Sequence, residues 1–507
     1  MTTLLRLLQT QAETRPERCA IKHRQLPTHY GELWLGIQRI ANGLIEGGFK
    51  PGGRVAVLLE NSPAYAAIYY GIWAAGGIAV GMNTAARPMD IAGACRHCDS
   101  RWLFVAENHP GLETLKQELS NQTQIIVISA PLGLDQLPWP GESISKKASQ
   151  RSPATDAGQA ASIIYTSGTT GRPKGVTLSH HNIYSNIQSI NAYLQLGPQD
   201  LTSVVLPFFY SYGASILHTH LAAGAGLLLE NSLVYPHQVI ERMAAEKVSG
   251  FSGVPATFYL LEKRVQLEDH DLSALRYLTQ AGGHMAADAI NRWRLRLPHA
   301  RFFVMYGQTE ATARLTYLAQ GSASEKSGSV GQAVNGVQLS ISDAGEVCAR
   351  GDNVMLGYWQ DEERTREVLR DGWLHTGDLG YLDSEGFLYL KGRAVEQIKS
   401  GGHRIDPAEI EQALELQGDI AEAAVRGVQD DVLGEIIEAY VVIKQGCKPD
   451  VLSLKRHCAQ YLASYKIPKI FQFVSQLPRT ASGKIQRHQL GNVEMAPSTG
   501  IEPVTDP

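Results

Sequence analysis

Between Thr28 and Lys263 the chain repeatedly alternates two textures, and this alternation limits the folds open to it. A short apolar run of strand length is followed by a stretch with apolar residues at helical spacing. Residues 28–48 read as a helix closed by Gly47-Gly48, and RVAVLLE at 54–60 reads as a strand. The same alternation returns at 102–118, 125–130, 203–229 and 247–263. Strands apolar on both faces, separated by helices, predict parallel sheets covered on each side, an α/β architecture. From about Gly336 the texture changes to short strands and turns. Beyond Gly392-Arg393 a compact α+β piece follows, with a helix expected from Pro407 to Leu416, a strand at AYVVIK and a helix over 450–463. We therefore expect a large domain over 1–393 with mixed and parallel sheets, helices and a β-rich subdomain. A small mobile α+β domain over 394–490 and a disordered Pro-rich tail over 491–507 complete the expected organisation.

The charge balance excludes several classes of function. Across 507 residues the formal net charge is −4, with the charges dispersed, which gives no electrostatic basis for nucleic acid or an anionic membrane as partner. Residues 64–82 lack charge, but Pro63 opens a helix there and Gly76-Gly77 ends it before a short strand at Ile78–Val80. That makes a buried helix–turn–strand, with no membrane span. The six cysteines are too few and scattered for a disulfide framework. Cys95-Arg-His-Cys98 lacks the second ligand pair a structural zinc needs. A reduced pair in a cytoplasmic protein is expected.

The strongest local signal is the segment Ile163-Ile164-Tyr165-Thr166-Ser167-Gly168-Thr169-Thr170-Gly171-Arg172-Pro173-Lys174-Gly175. An apolar strand runs into hydroxyls, glycines and two cations. Glycine lets backbone N–H groups approach an anion, while hydroxyls and a lysine supply donors and charge for phosphate oxygens. The spacing is not that of a Walker A loop, since no Gly-Lys-Ser/Thr closes it. His180-His181 follows as part of a helix start and receives no ligand role.

At this loop the sequence resembles the adenylate-forming ligases: acyl-CoA synthetases, nonribosomal peptide adenylation enzymes and luciferases. The resemblance extends in order from about residue 10 to 490. Met305-Tyr306-Gly307-Gln308-Thr309-Glu310 is similar to the family's Y-G-x-T-E segment and Trp373-Leu-His-Thr-Gly-Asp378 to its T-G-D segment. Gly392-Arg393 resembles the start of its hinge, Lys399-Ser-Gly-Gly-His-Arg404 its mobile glycine loop, and Arg479-Thr-Ala-Ser-Gly-Lys484 its C-terminal lysine motif. The resemblance implies an ATP-dependent activation of a carboxylic acid as acyl-adenylate with release of pyrophosphate, then transfer to a thiol. Thr166, Ser167, Gly168, Thr169, Thr170, Gly171 and Lys174 would hold the β- and γ-phosphates, Glu310 would ligate Mg²⁺, and Thr309 would touch a phosphate oxygen. Tyr306, flanked by Met305 and Gly307, would stack on adenine opposite Gly282-Gly283. Asp378 would accept from the ribose hydroxyls with Arg393 nearby. Lys484 would reach the carboxylate and α-phosphate during adenylation only. Lys399, Gly401, Gly402 and His403 would line the thiol tunnel. One departure is that Ala394-Val395 follows Gly392-Arg393 where the family has Asp or Lys, which leaves the pivot open between Val395 and Glu396.

By the same resemblance the acid pocket is formed by Tyr210, Ser211, Tyr212, Ser215, Ser252, Thr279 and Ala281. Amino-acid-activating relatives carry an Asp about where Ser211 stands, and an ammonium buried beside serine alone lacks a counter-ion. A medium-sized, partly polar acid without an α-amine is expected. The favoured thiol is CoA; the alternative is a free-standing enzyme that loads an amino or aryl acid onto the phosphopantetheine of a separate carrier protein in natural-product biosynthesis, and a non-catalytic nucleotide-binding regulator is the third.

Overall fold

The computed structural model describes residues 4–129, 134, 157–166, 174–319, 326–393, 398–400, 403–430, 434–447, 450–462, 464–480 and 483–493. The chain forms two compact units, Met1–Leu339 with Ala349–Leu374, and Ser340–Cys348 with His375–Pro507. The expected hinge at 393–396 therefore falls inside the second unit, and residues 394–397 lie outside the described ones.

Among the described residues the first unit contains two large sheets. One has nine strands, and its interior strands Arg301–Tyr306, Tyr277–Gln280, Gly250–Gly253, Leu201–Val204, Gly226–Leu229 and Cys19–His23 pair in parallel in that order. The other has seven, with Ala160–Thr166, Ile78–Gly81, Arg54–Leu58, Ser100–Ala106 and Gln124–Ile128 parallel. The alternation of runs and helices thus produces the buried parallel sheets it predicts. Val55 and Val57 of one sheet and Val204 and Leu227 of the other share a core with Ile37, Ile40, Ile68, Trp73 and Ile187 from the helices.

The charge-free stretch at 64–82 is a core element. Ser62 caps the helix Pro63–Ala74, accepting from the Tyr65 N–H at 3.1 Å, and Gly76 ends the segment in a left-handed turn (φ +76°). Among the described residues no helix is long and apolar enough to cross a membrane. Cys95 and Cys98 are free and buried, and burial pushes the Cys98 thiol up to about 11. His180 begins the helix His180–Leu194 with its ring edge-on to Trp73 at 5.0 Å, and burial pushes it down to about 4.

In the second unit, strands Ile398–Ser400, His403–Ile405, Gly434–Ile443, Ile420–Asp430 and Ile470–Phe473 form one sheet. Helices Pro407–Glu415 and Val451–Tyr461 pack on it through Ile410, Leu414, Leu454 and Cys458. Gly392 has φ +138°, and a Cβ there would lie 2.4 Å from Asp406 Oδ1, so this approach requires glycine. Asp406 in turn caps Pro407–Glu415 through the Ala408 N–H at 2.9 Å, and burial pushes its carboxyl up to about 6.

The helices Tyr30–Glu46 and Pro63–Ala74 meet at Gly71, where an added Cβ would lie 2.6 Å from Ile40 Cβ. Gly71→Ala is therefore expected to destabilise the protein by about 1–3 kcal/mol, seen as a lower urea midpoint with unchanged slope. An unchanged midpoint would show that these helices are not locked together.

Candidate active site

The sequence-predicted residues of the first unit gather at one edge of its sheets. Thr166, Gly253, Gln280 and Tyr306 each end a parallel strand at its carboxyl end, where open α/β sheets bind ligands. Strand Ala160–Thr166 then reverses into Lys174–Ser179, with Thr166 opposite Lys174 in an antiparallel pair. The connecting residues Ser167, Gly168, Thr169, Thr170 and Gly171 lie outside the described ones.

Lys174 points its Nζ over the ring of Tyr358, 5.2 Å from the centroid, and the Tyr358 hydroxyl donates to Glu310 Oε1 at 2.9 Å. Tyr358 thus stands between the lysine and the carboxylate. Its strand, Gly357–Tyr358, pairs antiparallel with Thr177 and Val176. Glu310 sits in the single turn Thr309–Ala311, and its carbonyl accepts the Met355 N–H at 2.9 Å. That turn depends on Gly307, since a Cβ there would lie 2.0 Å from the Ala313 carbonyl oxygen. Thr312 closes it at φ +65°, held by its hydroxyl on the Asn353 carbonyl at 2.7 Å. Thr309 donates to Ser211 Oγ at 3.2 Å, joining the Thr309–Glu310 turn to the acid wall.

The residues expected to line the acid pocket form a hydroxyl network. Tyr212 donates to the Thr279 carbonyl at 2.9 Å and lies 2.8 Å from Thr279 Oγ1, which reaches Ser252 Oγ at 2.8 Å. Ser215 donates to the Tyr212 carbonyl at 2.7 Å, and the Tyr210 hydroxyl accepts from Asn83 at 3.3 Å. Burial raises the Tyr212 phenol, which stays neutral. Ala281 is buried, and Gly282, at φ +85°, and Gly283 lie beside Val254 and Pro255. Tyr306 is buried, its carbonyl taking the Leu315 N–H at 2.9 Å; Met305 before it accepts from Tyr193 at 3.1 Å.

Asp378, Arg393, Lys399, His403 and Lys484 belong to the second unit. Asp378 is buried on the strand Trp373–Leu382, opposite Arg393 in register. Its strand is pinned by Glu346, which accepts from the Gly377 N–H at 2.8 Å and from His375 Nδ1 at 2.9 Å, with Cys348 Sγ 3.5 Å from that nitrogen. Glu346, Cys348 and His375 are near enough to share a cation. Glu346 is already engaged at both oxygens and the ring nitrogen at Glu346, so the trio is better explained as a buttress for Asp378. Lys399 lies on Ile398–Ser400 and His403 on His403–Ile405, while Gly401 and Gly402 lie outside the described residues. Lys484 is exposed on a tight turn after Gly483 (φ +85°), where Arg479 donates to the Gly483 carbonyl at 2.7 Å and pairs with Glu422 at 2.8 Å.

The donors at the first-unit edge fit MgATP. One carboxylate oriented by a phenol, beside a lysine and hydroxyls, suits an ion that takes its other ligands from phosphates and water. Gln308 Nε2, buried without a hydrogen-bond partner among the described residues, is an unused donor in the same segment.

The sequence profile of the AMP-binding enzyme family matches residues 8–359, and that of the AMP-binding enzyme C-terminal domain matches 409–484. The chain belongs to this family. It is an AMP-forming acid–thiol ligase. Feruloyl-CoA synthase of Amycolatopsis sp is 31% identical over 494 residues, covering 95% of this chain and 96% of the relative. The 2-succinylbenzoate–CoA ligase of Geobacillus kaustophilus is 30% identical, covering 97% and 98%. Among solved structures, o-succinylbenzoate CoA synthetase of Bacillus subtilis, in complex with its acyl-adenylate intermediate, superposes with a TM-score of 0.84 at 27% identity, covering 97% of this chain and 99% of that one. The same synthetase has been solved with ATP and magnesium ion, TM-score 0.82 at 28% identity, covering 96% and 99%.

In this AMP-binding enzyme the sequence motifs did not reveal Tyr358. Tyr358→Phe keeps the ring under Lys174 and removes the donor to Glu310. A hydrogen bond to a charged group contributes about 1.5–3 kcal/mol, so kcat/KM for MgATP should fall about 10–100-fold with the thermal midpoint nearly unchanged. Unaltered kinetics would rule out an orienting role for the hydroxyl.

Proposed function

We propose that the protein converts a carboxylic acid without an α-amine, ATP and CoA into the acyl-CoA, AMP and pyrophosphate. In the first step a carboxylate oxygen attacks the α-phosphorus, the bond to pyrophosphate breaks, and an acyl-adenylate forms. In the second the CoA thiolate attacks the acyl carbon and AMP leaves. The observation that carries this reading is the Lys174–Tyr358–Glu310 arrangement at the carboxyl ends of the parallel strands, joined through Thr309 to Ser211.

Two anions must meet in the first step, so positive charge and positioning dominate its catalysis. Lys174 and the loop Thr166 to Gly171 neutralise the β- and γ-phosphates, and Glu310 holds Mg²⁺, which supplies Lewis-acid charge when bound. Tyr306 with Gly282-Gly283 takes adenine, and Asp378 with Arg393 takes the ribose. Lys484 supplies charge to the reacting oxygens during adenylation, and Lys399, Gly401, Gly402 and His403 line the path of the thiol. The small cavity beside Ser211 is lined by Tyr69, Ser162, Asn186, Ser215, His218, Thr312 and aliphatic side chains, with no carboxylate among them. Burial pushes His218 down to about 3, so it carries no charge there either. An α-ammonium would have no counter-ion on this lining. Relatives named for ferulate and succinylbenzoate support a ring-bearing, partly polar acid.

The test is thioester formation from a panel of acids and their α-amino counterparts, with CoA and with a holo carrier protein as acceptor. CoA and the deaminated acids should be preferred; preference for amino acids and the carrier would overturn the assignment. In the same assay Lys484→Ala should lower adenylation on the order of 100-fold or more. Thioester formation from supplied acyl-adenylate should stay within a few-fold. Equal loss in both steps by a folded variant would contradict a role confined to adenylation.

A further inference from the structure

Tyr212, expected in the acid pocket, and Met305, the residue before Tyr306, meet at a side chain that no motif singles out. Arg314 is 3% exposed. Its guanidinium lies 4.2 Å from the Tyr212 ring centroid, and Tyr212 is anchored to Thr279 by its hydroxyl. Its Nε donates to Met305 Sδ at 3.1 Å and its Nη1 to the Ala313 carbonyl at 3.3 Å. A thioether is a weak acceptor, and the other polar side chain beside the guanidinium, Tyr193, is a neutral phenol. Among the described residues no carboxylate lies within 4 Å of this guanidinium, whereas the buried carboxylates Glu230 and Asp200 are paired with Arg242 and Arg276.

The position is fixed from behind. The Arg314 carbonyl accepts from Asn186 at 3.0 Å and from Asn353 at 2.9 Å, which holds the backbone of the residue in place. A buried cation without a partner is strongly disfavoured, and an apolar side chain of similar volume would serve packing better. What a planar guanidinium offers that an apolar chain cannot is a fork of parallel N–H donors matched to a carboxylate. The Tyr212 face stabilises the cation without using its N–H donors.

Ser211, the residue before Tyr212, accepts from Thr309 beside Glu310, so it lies on the side where the carboxylate is activated. Tyr212 thus separates the reacting end from Arg314. We propose that Arg314 is a specificity-determining residue and that the preferred acid is a dicarboxylic acid whose second carboxylate pairs with it. This rests on the ligase activity proposed above and names the substrate class for the same site.

The test pairs aliphatic and aryl dicarboxylic acids of graded length with their monoamides, using wild type, Arg314→Met and Arg314→Lys. Two readouts are needed: the shift in thermal midpoint on adding acid alone, and pyrophosphate exchange. Wild type should be stabilised more by the best diacid than by its monoamide, and its KM should favour that diacid by about 10-fold or more. Arg314→Met should be at least as stable as wild type without acid, should raise KM for the diacid about 10–100-fold with kcat within a few-fold, and should leave the monoamide's KM unchanged. Arg314→Lys should fall between, since it keeps the charge without the fork. Equal effects of Arg314→Met on diacid and monoamide, or no wild-type preference for any diacid in either readout, would overturn the proposal. Absence of exchange with every acid would count against the ligase activity itself, and the thermal shifts would still decide the role of Arg314.

Discussion

A site that must bind a polyphosphate and a metal ion needs opposite charges close together that do not neutralise one another. Lys174 and Glu310 meet that constraint through Tyr358. Its ring lies under the ammonium and its hydroxyl holds one carboxylate oxygen. Direct pairing of the two ions would commit the lysine to the glutamate and deprive phosphate of its cation. With a neutral phenol between them, each charge is oriented and still available. Much of the first unit can be understood as the frame for this spacing. The antiparallel pair Tyr358–Val176 carries the phenol to the lysine's strand, and the Met355 N–H bonded to the Glu310 carbonyl holds the glutamate's turn against that same segment.

The residues proposed to recognise the acid show the same economy of charge. From Ser211 to Thr279 and Ser252 the wall is made of hydroxyls bonded to one another, which accommodates polar substituents without fixed charge. The histidine on the small cavity is held neutral by burial. Against that background the guanidinium of Arg314 stacks on Tyr212 of that wall and donates to Met305, and among the described residues no carboxylate pairs with it.

The parts legible in the sequence were those that local rules determine. Pro63 after Ser62, the glycine pair at 76–77, and alternating runs and helices follow from capping, left-handed turns and two-sided burial, and the structure has each of them. The need for Gly307 was visible as part of a motif, while its reason, an approach to Ala313 that leaves no room for a Cβ, required coordinates. Tyr358 and Arg314 were not legible for a physical reason. Tyr358 reaches Glu310 across 48 residues through an antiparallel pairing that no periodicity encodes. Arg314 follows a turn in a short segment where a cation ordinarily reads as solvent-facing, and only the stacking on Tyr212 and the two asparagines behind its carbonyl show it buried. The buttress of Glu346 and His375 under Asp378 is likewise a product of strand register, and nothing near the T-G-D segment announces it.

The central claim is that this charge arrangement serves attack at the α-phosphorus, with the acid as nucleophile. The most direct measurement is a single turnover of the full-length protein with ATP, Mg²⁺ and a competent acid carrying ¹⁸O in its carboxylate, with one sample quenched before and another after a thiol is added, both analysed by mass spectrometry. Enzyme-bound acyl-adenylate with stoichiometric pyrophosphate, and ¹⁸O appearing in AMP once the thiol is supplied, is the predicted result. Formation of ADP and phosphate, with ¹⁸O in the phosphate, would place the attack at the γ-phosphorus and contradict the account.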